Sequence, residues 1–151
     1  MAKATQQDAR MMLQLATWYT ESQVGEAINW ARSDEFIGDY AKFATRFPSG
    51  SEGRLLVNRI LGYYETVGTL WKNRLINEDL LFDWLWVPAS WDLVKGIALG
   101  MRAELANVGL WENYRRHLKA CSMRSSAAIR KHLWLRSRVR LRASTRSLAS
   151  G

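Results

Sequence analysis

The sequence predicts an all-α protein: a compact bundle of six or seven helices over residues 1–122, followed by a basic, disordered tail over 123–151. Three observations lead there. Apolar side chains recur at three- and four-residue spacing through most of the first 122 residues, the mark of helices that bury one face. β-Hairpin signals and internal repeats are both missing. Charge is also divided: residues 1–114 hold eleven Lys or Arg and all fourteen Asp or Glu, whereas 115–151 hold eleven bases and no acid. The net charge of +8 is therefore a body of 11 − 14 = −3 joined to a tail of +11, two physically different pieces.

Thr5 followed by Asp8 forms a capping-box pattern that opens a first helix through about Tyr19, with Met11, Met12, Leu15, Ala16 and Tyr19 along one stripe. Ser22 is placed to cap a second, with Val24, Ala27, Ile28 and Ala31 on its apolar side. Ser33 is placed to cap a third, with Asp34 and Glu35 in an acidic first turn and Phe36, Ile37, Tyr40 and Phe43 facing inward. Phe47 to Gly53, rich in Ser and Gly with one Pro, reads as a loop. Residues 54–74 form the central helix, on Leu56, Ile60, Tyr63, Tyr64, Val67, Leu70 and Trp71. Asn77 caps the next helix, whose inner side is Leu80, Leu81, Trp84 and Leu85 and which Pro88 ends. Another helix starts at Ser90 and runs to about Ala106, and a last one covers about Leu110 to Cys121.

Gly62, Gly68, Gly96 and Gly100 fall inside these helices, where each costs about 1 kcal/mol relative to Ala. Close approach of another helix offsets that cost. Packing within the monomer is the first explanation; self-association through Gly96 and Gly100, spaced as small-xxx-small, is the second. Eight tryptophans are many for this length, and a large aromatic is usually mostly buried. Trp84 belongs to the core stripe, whereas Trp86 and Trp91 have no clear place in it. Trp86, Trp91, Gly96 and Gly100 therefore make a candidate interaction face.

Chemistry is hard to find. Cys121 is the only cysteine, which excludes an internal disulfide and fits a reducing compartment. His117 and Cys121 share a helix face, but no third ligand or orienting acid accompanies them, so neither a metal centre nor a Cys–His nucleophile is indicated. No glycine-rich phosphate loop occurs. Glu65 and Glu104 read as solvated or salt-bridged residues, although Glu65, at the margin of the apolar stripe, also suits a buried hydrogen-bonded role. These features predict no catalytic residue, no metal and no cofactor. The N-terminus lacks the apolar core of a secretory signal, and no stretch reaches the roughly 18 to 20 apolar residues needed to span a bilayer.

In the tail, Arg136, Arg138, Arg140 and Arg142 alternate with Ser137, Val139 and Leu141. A helix would scatter these arginines; an extended chain places them on one face. The segment is expected to be disordered or extended until it binds. Three readings fit it. Arg130, Lys131, Trp134, Arg136, Arg138, Arg140 and Arg142 can bind a polyanion such as nucleic acid, with Trp134 stacking on a base. The same residues suit an anionic membrane surface. Total loss of acid in an Arg-, Ser-, Leu- and Ala-rich stretch also fits translation of a GC-rich gene in a shifted frame, with no binding role.

One pattern remains. A helix bearing Tyr64-Glu65 and Gly68 leads into Arg74-Leu75-Ile76-Asn77-Glu78-Asp79-Leu80, and Trp91, Arg102 and Leu110-Trp111-Glu112-Asn113-Tyr114 follow. Over about residues 54–118 this resembles a bacterial domain family of unknown function, many members of which carry it behind N-terminal transmembrane helices. The resemblance implies a helical intracellular module, often near a membrane, and supplies no catalytic residues. The expectation is a non-enzymatic, cytoplasmic interaction module, in one version peripheral to the inner membrane, that contacts a protein partner or itself. The alternative is a nucleic-acid-binding protein that works through its tail.

Overall fold

The computed structural model describes residues 3–85 and 87–124. Trp86 and the tail residues Arg130, Lys131, Trp134, Arg136, Arg138, Arg140 and Arg142 lie outside the described residues. Among those described there are only helices, turns and loops: α1 (Gln6–Glu21), α2 (Val24–Ala31), α3 (Tyr40–Arg46), α4 (Glu52–Lys72), α5 (Glu78–Trp84), α6 (Val87–Glu104) and a seventh, α7, over residues 112–124. The all-α expectation holds.

Local chemistry sets several of these boundaries. Thr5 Oγ1 accepts from the Asp8 N–H at 3.2 Å while the Thr5 N–H donates to Asp8 Oδ2 at 2.9 Å, a reciprocal capping box. Asn77 Oδ1 accepts from the backbone N–H groups of Asp79 and Leu80 and so starts α5. Ser22, by contrast, closes α1 rather than capping α2; the chain turns through Gln23 in the left-handed region (φ 54°) and α2 begins without a side-chain cap. Ser33 likewise caps nothing. Its hydroxyl donates to the Trp30 carbonyl at 2.7 Å, residues 32–39 remain a loop, and α3 starts only at Tyr40, where Asp39 Oδ1 accepts from the Lys42 N–H. Pro88 does not end α5 but sits in the first turn of α6, where its missing N–H has no partner to lose.

α4 is the central helix. It packs against α2 and α6, and Val57, Ile60, Leu61, Tyr63, Tyr64 and Val67 on it are buried. α2 contributes Val24, Ala27, Ile28 and Ala31, all buried, and α6 contributes Trp91, Val94, Ile97, Ala98 and Met101. Aromatic rings tie the layers together: Tyr63 meets Trp18 and Tyr19 of α1, while Tyr64 stacks on Tyr114 of α7 with centroids 4.7 Å apart.

Three of the four glycines singled out from the sequence mark close approaches within the chain. A methyl group on Gly68 would collide with the Asn113 carbonyl, one on Gly96 with the Gly38 carbonyl, and one on Gly100 with the Tyr40 ring. Gly62 has no such neighbour, and close packing does not explain it.

Candidate functional site

Most groups that could carry chemistry are committed to holding α7. The Glu65 carboxylate, on α4, accepts from the N–H of Tyr114 at 2.9 Å, the N–H of Asn113 at 3.3 Å and the Asn113 side-chain amide at 2.8 Å. An anion at the start of a helix satisfies orphan donors and meets the positive end of the helix dipole. Thr69 Oγ1, one turn further along α4, accepts from the same Asn113 amide. Gly68 lies between these two residues and lets the backbone of Asn113 come close enough for the contacts to form. Arg102 supports the preceding turn by donating to the Leu110 carbonyl and lying 3.7 Å from Glu112.

The other end of α7 is pinned to α5. Arg124 pairs with Asp79, lies 4.0 Å from Glu78 and covers the Phe82 ring. Between these anchors His117 is fully buried in a three-ring cluster with Trp71 and Phe82, with neither ring nitrogen hydrogen-bonded. Burial holds its pKa down at about 4, so it is a neutral, ring-stacked member of the core at pH 7. Cys121, one turn on, is buried and its thiol pKa is raised by that burial, the opposite of nucleophile activation. Among the described residues no three His, Cys, Asp or Glu side chains are placed to share a metal ion.

What remains open is a surface. Ala9, Met12, Leu13 and Ala16 of α1 and Leu80 and Trp84 of α5 line a shallow apolar groove. Leu13 is 68% exposed and Trp84 39%. The placement of Trp84 in the core stripe is thus corrected: of the seven residues of α5 only Leu81 turns fully inward, with Leu85 buried just past its end, which leaves Leu80 and Trp84 along the groove. The groove's lining is uncharged, but its helices are acidic: α1 and α5 carry five acids (Asp8, Glu21, Glu78, Asp79, Asp83) against Arg10 and the Arg124 that pairs with Asp79, a net of 2 − 5 = −3.

Of the residues singled out from sequence as an interaction face, Trp91 is buried against the Tyr114 ring. Gly96 and Gly100 are met by Gly38 and Tyr40 of the same chain. They do not adjoin the groove.

A comparison with protein-family models matches residues 4–119 to the domain of unknown function DUF4760. The chain belongs to this family. The match takes in the N-terminal helices as well as the stretch over which the pattern was legible, and it stops before the basic tail. No characterised protein and no solved structure matches the chain. Set against the geometry, the residue pattern read from the sequence is largely the α7 anchorage: Tyr64, Glu65, Gly68, Arg102, Asn113 and Tyr114 all belong to it. Among the described residues no helix is long and apolar enough to cross a membrane.

Proposed function

We propose that this protein is a non-enzymatic interaction module that receives a basic protein segment with apolar side chains on its α1–α5 groove. The observation that carries the reading is the apolar line of exposed Leu13 and Trp84 with half-buried Leu80 within an acidic pair of helices. Large aromatic and aliphatic side chains at the centre of such a surface supply affinity, and the surrounding charge selects the partner and speeds encounter. The same acids weigh against an anionic lipid surface, which they would repel. Residues 129–142 of the chain itself have the required chemistry, with Leu133, Trp134 and Leu135 set between Arg130, Lys131 and Arg136.

The test places a photo-crosslinking amino acid at Leu13 of the full chain and adds an excess of a biotinylated peptide with the sequence of residues 129–142. Crosslinks to that peptide, or to residues 129–142 of the chain, support the reading. Crosslinks to neither overturn it. Nucleic acid is the competing partner, and duplex DNA added to the same sample should leave the crosslinked yield unchanged. Loss of the crosslink to DNA, with an affinity that falls steeply as salt rises, would move the function to the tail.

A further inference from the structure

A second cleft, of about 410 Å³, opens between α1, α2, α4, α6 and the end of α5, lined chiefly by Tyr19, Asn29, Arg32, Tyr64, Leu85 and Ser90. This volume is ordinary for a small-molecule site. Its lining is sorted by chemistry. Ile28, Leu85 and the outer wall of Trp84 are apolar, the floor is hydroxylic and the rim is cationic.

The floor is built at Ser90, which is 3% exposed. Its hydroxyl donates to the Val87 carbonyl at 2.9 Å and so keeps its lone pairs for other donors. It lies beside the hydroxyls of Tyr64 and Tyr114 and partly offsets the burial that raises both. At the rim, Arg32 forms no ion pair among the described residues, and its charge acts on the hydroxyls of Tyr19 and Tyr64. No acid lines the cleft; Arg32 is the one formal charge among its lining residues.

We infer that this cleft binds a small aromatic carboxylate, its anionic end on Arg32 and Asn29, its ring against Ile28, Trp84 and Leu85, and its far end toward Ser90. A single planar guanidinium suits one carboxylate better than a phosphate that needs several donors. An apolar wall between the cationic rim and the hydroxyl floor calls for a flat body with polar groups at both ends. The inference is separate from the groove on α1 and α5 and does not depend on it, although Trp84 borders both.

The experiment titrates the full chain with benzoate, 4-hydroxybenzoate and indole-3-carboxylate up to about 10 mM, the weak end of small-ligand affinity, and follows binding by saturation-transfer NMR. The neutral 4-hydroxybenzamide is the control for charge. Expected is saturable binding of at least one carboxylate, weakened about tenfold or more in Arg32→Gln and unchanged in Lys95→Gln, which removes an equal charge elsewhere on the surface. Ser90→Ala should weaken 4-hydroxybenzoate more than benzoate. Saturation by none of the three acids overturns the proposal, and so does binding that Arg32→Gln leaves unchanged.

Discussion

Removing the Glu65 carboxylate should loosen α7 from the body. In Glu65→Ala three donors lose their acceptor at once: the N–H groups of Asn113 and Tyr114 and the Asn113 amide. Asn113 keeps one bond, to Thr69 Oγ1 at 3.0 Å. A hydrogen bond to a charged group contributes about 1.5–3 kcal/mol, and an N-terminal cap about 1 kcal/mol. These overlap here and do not add, because the freed N–H groups are only partly buried and water can reach them. The expected loss is about 3 kcal/mol for Glu65→Ala, and roughly half that for Glu65→Gln, whose amide oxygen still accepts but whose NH2 faces the donors. Urea denaturation followed by circular dichroism measures both. A hydrogen-exchange comparison should show the loss concentrated in amides of residues 112–124. If both variants stay within about 0.5 kcal/mol of wild type, the size of an ordinary surface substitution, Glu65 is not the anchor and the reasoning fails.

Three further outcomes follow from named contacts. Gly68→Ala places a methyl group on the Asn113 carbonyl, so it should destabilise by about 2–4 kcal/mol, and a second substitution of Glu65 should then cost little more, as a double-mutant cycle would reveal. His117, against the neutral rings of Trp71 and Phe82 with Cys121 and Arg124 further along its own helix, is held near pKa 4 against an ordinary 6.5. Its neutral form is the one the fold accepts, so stability is full above about pH 6.5 and falls as pH drops toward 4; at pH 5 the loss should be about 2 kcal/mol and absent in His117→Phe, measured by urea titrations at both pH values. Leu13→Lys, at a side chain 68% exposed, should change stability by less than about 0.5 kcal/mol yet reduce capture of the basic peptide on α1–α5 several-fold.

Much of the framework was legible because it is local. The Thr5–Asp8 box and the Asn77 cap each join residues two or three apart, and the stripe on α4 repeats within one helix. Ser33 misled because it has the same composition as a cap, yet its hydroxyl turns back to the Trp30 carbonyl while Phe36 packs against Trp30 and Phe43 from a loop. The α1–α5 groove was not legible, since periodicity puts Leu80 and Leu81 on one broad side of α5 and cannot say which of them a short helix leaves outside. Glu65 was half legible: a carboxylate at the edge of an apolar stripe needs a partner, but nothing near it in sequence identifies Asn113, 48 residues away. The cleft under Arg32 left no local signal at all, because its lining comes from five helices.

The glycine and Glu65 contacts also set an order of events during synthesis. α3 rests on Gly96 and Gly100 through Gly38 and Tyr40, and α4 awaits Asn113 for its Glu65 carboxylate. At about 5–20 residues per second a ribosome needs several seconds to deliver those partners after the early helices have emerged. Through that interval the nascent chain holds α3 without its seat and an unsatisfied acid in the flank of its central helix. The body therefore closes late, from its C-terminal side: a chain cut short before Gly96 leaves the ribosome with both seams open, and one cut between Gly100 and Asn113 leaves the Glu65 seam open.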